Sequence, residues 1–136
     1  MRRALRPDLT GRAEAVDARN WMARGDAAVL VAPRGGGDAL CGFAEVGARA
    51  CANGCVTSPV AFLEGWYVDP DARRQGVGAA LVHAAERWAH GRGYAELASD
   101  TRLDNVDSQR AHVALGFAEV ERSVKYHKAL TSLRAR

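Results

Sequence analysis

The sequence predicts an α/β domain: a mixed, mostly antiparallel sheet that holds one parallel βαβ unit and is flanked by helices. Three observations carry this. Residues 27–48 are short apolar or alternating segments split by a glycine-rich turn; "VAFLEGWYV" (Val60–Val68) is the strongest strand pattern in the chain; and it runs straight into a long amphipathic helix followed by another short strand. A strand, a crossover helix and a strand in succession make the two strands parallel neighbours, whereas the hairpins on either side are antiparallel.

Each element has a local cause. Thr10 to Arg24 reads as a helix, with Thr10 as cap, Ala13, Val16, Trp21 and Ala23 near helical spacing, and Gly25 as its stop. Ala27–Ala32 and Ala39–Ala48 are strands joined by "PRGGGD". The three glycines there lack a following Lys-Ser/Thr and open no helix, so they make a turn rather than a phosphate loop. "ACANGCVTSPV" is an irregular connection, and β-branched and aromatic residues favour a strand over Val60–Val68, with Gly65 inside it marking a bulge or close backbone approach. A helix follows from Gly76 to Arg92, with Leu81, Ala84, Ala85 and Trp88 on one face and Gly93 as its stop. Tyr94–Asp100 is the next strand; a second helix starts near Asn105 to Ser108 and ends at Leu115 before Gly116; "FAEVERSVKYHKAL" supplies one or two closing strands. Trp21 and Trp88 are assigned to packing.

A chain of 136 residues, 48% of them hydrophobic, is sized for one core, so residues 1–136 read as one domain. No apolar run reaches membrane-spanning length and the N-terminus lacks a signal-like apolar stretch, which places the chain in the cytoplasm. Cys41, Cys51 and Cys55 are odd in number, form no CxxC pair and lack a histidine cluster, so free thiols are expected, with neither disulfide nor metal. The net charge of +3 resides at the ends: residues 25–121 hold eight basic and thirteen acidic side chains. With no basic stripe interleaved with aromatics, nucleic-acid binding is excluded as a working function.

The run Arg73-Arg74-Gln75-Gly76-Val77-Gly78 lies between strand and helix, where glycines permit close approach to backbone N–H groups and the arginines add countercharge. That is the setting for an anion such as a pyrophosphate. Neither a Rossmann fingerprint nor a Walker loop fits the glycine spacing, and a plain turn with two glycines is the competing reading.

Together with "FLEGWYVDPDARRQGVGAALV", "ELASDTRLDN" and "AHVALGF", this run resembles the GNAT acyltransferase superfamily, in the branch of bacterial aminoglycoside 6′-N-acetyltransferases. The resemblance implies a GNAT-like sheet lacking the usual N-terminal strand, an acetyl-CoA-binding core over residues 60–116, and acetyl transfer from acetyl-CoA to an amine of an aminoglycoside by direct attack in a ternary complex. It implies a cofactor site of Arg73, Arg74, Gln75, Gly76, Val77 and Gly78 on the pyrophosphate, the main chain of Tyr67 and Val68 along the pantetheine arm, and Asn105 and Ser108 at the second helix start. Capping alone would also explain the last two. Glu64 and Asp100 match the acidic pocket for a polycation. Glu64 would also take the proton from the attacking ammonium, and a strand N–H near Val68 would stabilise the oxyanion. Asp104 and Asp107 would add negative potential. His112 stands where many relatives place a tyrosine acid and is the candidate proton donor or cofactor contact, against packing on the sheet. Trp66 and Tyr67 point to opposite faces of their strand; Trp66 is the candidate for the sugar pocket. At the N-terminus Arg6 stands where the branch has tryptophan, and Asp8 is retained. The resemblance further implies a homodimer. The other readings are the same chemistry on a polyamine or protein lysine, and an acetyl-CoA-binding module without catalysis.

Overall fold

The computed structural model describes residues 1, 4 and 18–131 of the chain. Arg6, Asp8 and the predicted helix from Thr10 as far as residue 17 lie outside the described residues; residues 18–22 are helical. Four strands follow the predicted order: β1 (Ala27–Pro33), β2 (Leu40–Arg49), β3 (Val60–Val68) and β4 (Leu97–Ser99). They lie side by side as β1-β2-β3-β4, with β1–β2 and β2–β3 antiparallel and β3–β4 parallel. The connection between β3 and β4 is α1 (Val77–Gly91), and α2 (Val106–Ala114) follows β4.

The amphipathic spacing of α1 buries Leu81, Val82, Ala85 and Ala89, and the first three meet Ala44, Val46 and Leu63 of the two central strands. Fully burying a valine or leucine contributes roughly 1.5–3 kcal/mol each, so this layer fixes α1 over β2 and β3. On β2 the Trp21 ring lies against Gly47, and its Nε1 donates to the Ala28 carbonyl at 3.3 Å. Trp88 stacks with Tyr94 at 5.8 Å between centroids. Both tryptophans therefore pack, as expected. The three cysteines are free, with Cys41 buried and Cys51 exposed.

Two expectations need correction. β4 pairs over three residues rather than the predicted seven, opposite Ala61, Phe62 and Leu63 only. Residues 117–131 form no strand among the described residues: their alternation is present, but a strand also needs a ladder partner, and no described backbone supplies one.

Candidate active site

The site begins with a bulge. β2 and β3 pair Glu45 with Gly65 but Val46 with Leu63, so Glu64 is an extra residue on β3. Gly65 pointed to this irregularity, and the displaced residue is its neighbour. The bulge reverses the direction of the backbone groups that follow. Ala61 bonds toward β4, its N–H donating to the Glu96 carbonyl at 3.2 Å. Beyond the bulge, Asp69 N–H donates to Cys41 of β2 at 2.7 Å, so alternation aims the N–H and C=O of Trp66 and Val68 away from β2. The β3–β4 ladder has already ended at Leu63 and Ser99. β3 thus carries a row of backbone donors and acceptors into a gap that β4 does not fill.

At the mouth of that gap lies the predicted anion loop. The chain passes through a short 3-10 turn, Pro70–Ala72, and then through left-handed conformations at Arg74 (φ 62°) and Gly76 (φ 83°) before entering α1. Glycine adopts this region freely, whereas an arginine does so at a cost of about 1–2 kcal/mol; strain of this kind gathers at ligand loops. No side chain caps α1 at Gly76, so the first-turn N–H groups stay available at the positive end of the helix. The Arg73 Nε donates to the Val68 carbonyl at 2.8 Å, and the Gln75 amide donates to the Asp71 carbonyl at 3.3 Å. Both side chains brace the loop. From the β1–β2 turn, Arg34 reaches Asp69 at 2.9 Å and Asp71 at 2.6 Å. Its hydrogen bonds hold the Asp71 carboxyl below the ordinary range, and the two aspartates push the guanidinium further up. Nothing in the local sequence announces this clamp.

Behind the loop, Trp66 locks β3 to both helices. Its Nε1 donates to the Gly78 carbonyl at 3.1 Å, and a Cβ on Gly78 would meet the indole at 3.2 Å, so glycine is the residue that admits the ring. The His112 ring stands edge-on to Trp66 at 5.2 Å and to Phe117 at 5.1 Å. His112 Nδ1 lies 2.7 Å from the Ser108 carbonyl, and Nε2 lies 2.8 Å from the Ser99 hydroxyl. A carbonyl only accepts, so Nδ1 carries a proton, while the Ser99 hydroxyl beside Nε2 also reaches the Leu63 carbonyl, at 3.5 Å. Ser99, inside the quoted "ASD" block, is a site residue that the sequence reading passed over. Asn105 caps α2 by accepting from Ser108 N–H at 3.1 Å.

The acidic groups sit where the ladder ends. Glu64 follows Leu63 and Asp100 follows Ser99, the last paired residues of β3 and β4. Glu64 is midway along β3, where the sheet opens before the strand stops. Its carboxylate, 17% exposed, is ion-paired with Arg49 of β2, 44% exposed, whose guanidinium lies 3.5 Å over the Phe62 ring. Asp100 is exposed. Arg102 holds the Asp104 carboxyl below its ordinary range. Arg49 is the second residue that sequence reasoning missed; it lies 15 positions from Glu64, is paired with Val60 in the ladder, and reaches Glu64 across the Phe62 ring.

Over residues 1–117 the chain matches the acetyltransferase (GNAT) family. It belongs to that family. An aminoglycoside N(6′)-acetyltransferase type 1 of Klebsiella aerogenes is 58% identical over 104 residues, which are 76% of this chain and 68% of the relative. The enzyme of the same name from Serratia marcescens is 55% identical over 98 residues, 71% of this chain and 67% of the relative. Among solved structures, AAC(6′)-Iy in complex with the bisubstrate analogue CoA-S-monomethyl-acetylneamine superposes with a TM-score of 0.86 at 38% identity, covering 96% of this chain and 88% of that one. AAC(6′)-Ih of Acinetobacter baumannii gives 0.85 at 36% identity, with the same coverage. No described helix is long and apolar enough to cross a membrane.

Proposed function

We propose that this acetyltransferase moves an acetyl group from acetyl-CoA to the 6′-amine of an aminoglycoside, by direct attack in a ternary complex. The observation that carries the reading is the Glu64 bulge: it places a carboxylate at the point where β3 and β4 part and turns the Val68 amide into the gap beside the uncapped α1 terminus. The named relatives supply the substrate class.

The residues present fit coenzyme A. The α1 first turn with Arg73, Arg74, Gln75, Gly76, Val77 and Gly78 would hold the pyrophosphate, and the backbone groups of Val68 and of Trp66, rather than those of Tyr67, which face β2, would lie along the pantetheine arm. Bound acetyl-CoA supplies an activated thioester. Glu64 takes the proton of the substrate ammonium, directly or through water, because a protonated amine has no lone pair. Asp100 adds countercharge for the remaining ammonium groups, whereas Trp66, bonded to Gly78 and packed against His112, braces the anion loop instead of lining the sugar pocket. The Val68 N–H is aimed for the developing oxyanion. His112, with Nδ1–H given to a carbonyl, orients Trp66 and Ser99 rather than serving as the main acid; a thiol of ordinary pKa leaves near neutrality with little help. Asn105 and Ser108 shape the α2 start that borders the cofactor. The working unit is a homodimer, in the cytoplasm.

The test is free-thiol release from acetyl-CoA with kanamycin and with an analogue bearing hydroxyl in place of the 6′-amine. Turnover with the amine alone is expected. Equal turnover on both would refute the regiochemistry, and coenzyme A binding without turnover on either would refute the aminoglycoside reading.

A further inference from the structure

By itself the anion loop is electrically neutral. From Val68 to Gly78 the chain carries two arginines, Arg73 and Arg74, against two aspartates, Asp69 and Asp71. Both aspartates belong to the turn that builds the loop: the Asp69 carbonyl accepts from the Ala72 N–H at 2.9 Å, and the Asp71 carbonyl accepts from the Gln75 amide at 3.3 Å. Their carboxylates therefore oppose the arginines at a place suited to a polyanion, and a neutral loop attracts a pyrophosphate only through its backbone N–H groups. The missing cation comes from another element. Arg34 follows β1, its N–H closes the β1–β2 turn on the Ala39 carbonyl at 2.6 Å, and the Asp69 N–H ties the end of β3 to Cys41 of β2 at 2.7 Å. The sheet thus brings turn and loop together. There the Arg34 guanidinium spans both carboxylates, 2.9 Å from Asp69 and 2.6 and 3.0 Å from the two oxygens of Asp71, a fork that an arginine fits and a lysine does not.

We propose that Arg34 is a positioning residue of the cofactor site that acts through charge: it masks Asp69 and Asp71, so that the pyrophosphate of coenzyme A meets a loop of net positive charge. The inference rests on the coenzyme A reading and adds to it a residue from outside the loop. Arg34 and Asp71 are 40% and 68% exposed, and exposed ion pairs add little to stability. Their charges nonetheless act over a screening length, which covers the whole loop. With Arg34 the five side chains Arg34, Asp69, Asp71, Arg73 and Arg74 carry one net positive charge; without it they carry none. Neutralising the aspartates instead raises the net charge, so the two kinds of variant move the cofactor affinity in opposite directions. A purely mechanical clamp has no such asymmetry, because losing either side of it frees the loop.

Calorimetric titration of coenzyme A into the full chain tests this at about 10 mM and about 1 M salt, where the screening lengths are about 30 Å and about 3 Å. A unit charge about 10 Å from a dianion changes its affinity about fourfold in a water-like dielectric, the one that suits side chains this exposed. At low salt Arg34→Gln should therefore weaken coenzyme A binding about fourfold, and Asp69→Asn/Asp71→Asn should tighten it about 16-fold, fourfold for each carboxylate. The triple variant should bind about fourfold more tightly than wild type. At high salt the four constants should converge. The aspartate variant keeps Arg34, so its result decides the matter even where Arg34→Gln does not fold. Asp69→Asn/Asp71→Asn binding no more tightly than wild type, or an Arg34→Gln loss that persists at high salt, overturns the proposal and leaves the coenzyme A reading standing. A wild type that binds no coenzyme A overturns both.

Discussion

Replacing Gly76 by alanine isolates the backbone conformation on which the anion loop depends. At Gly76 φ is 83° and ψ is 2°, and a Cβ built there meets nothing within 4 Å. The substitution therefore adds no clash, only left-handed strain of about 1–2 kcal/mol. Alanine also removes unfolded-chain freedom, which offsets about 0.4–1 kcal/mol. The net loss of about 1 kcal/mol corresponds, in a domain of this size, to a fall in Tm of roughly 3 °C. Should the loop relax instead, the strain leaves the fold, the amides turn, and the same energy appears as about a fivefold rise in the coenzyme A Kd. Gly91, at the exposed end of α1, is the control: it also has open space around it, with no left-handed φ. Gly91→Ala should stabilise by roughly 0.5 kcal/mol and leave coenzyme A binding alone. Thermal unfolding and calorimetric titration with coenzyme A read both variants. Gly76→Ala with unchanged Tm and unchanged Kd would refute the reasoning.

Three further outcomes are expected. Arg49→Gln removes a half-exposed cation that competes with substrate for Glu64; with such a pair contributing about 0.2–1 kcal/mol, the aminoglycoside KM should drop by up to about fivefold at similar kcat, and a raised KM would show that Arg49 assists binding. Trp66→Phe deletes the bond to the Gly78 carbonyl and should cost about 1 kcal/mol in denaturant unfolding, with no loss expected if that bond is idle. Hydrogen bonds from the Thr57 hydroxyl, then from the Thr57 and Val56 amides, hold the Glu96 carboxyl below its ordinary range. Its contribution to ordering residues 55–57 is thus fully present above the unfolded carboxylate range and is lost as pH falls through the lower folded value. An NMR titration of Glu96 with a midpoint at or above that of a free glutamate would contradict the contacts.

What was legible in the sequence were features with a local cause. β3 spans the residues its composition marks, and α1 ends within a residue of the predicted bounds because Gly76 and Gly93 punctuate it. The bulge was signalled by Gly65, though not the residue it displaces. The Arg49–Glu64 pair and the Arg34 clamp were illegible, since each joins long side chains to carboxylates far off in the chain that only the folded sheet brings within reach. His112 shows the same limit from another side. Its position was evident, but its tautomer depends on Ser99 and the Ser108 carbonyl, which the fold brings to it. In residues 118–130 the alternation was plain, and periodicity names a strand without naming its partner.

The account turns on Glu64 as the group that takes the proton from the attacking amine. The measurement that tests it most directly is kcat/KM for an aminoglycoside with Glu64→Gln, alongside the coenzyme A Kd of the same variant. A loss of about 10²–10⁴-fold in kcat/KM with the coenzyme A Kd unchanged is the predicted result. A variant within a fewfold of wild type would contradict the assignment and leave Glu64 as a partner for Arg49 at the edge of the sheet.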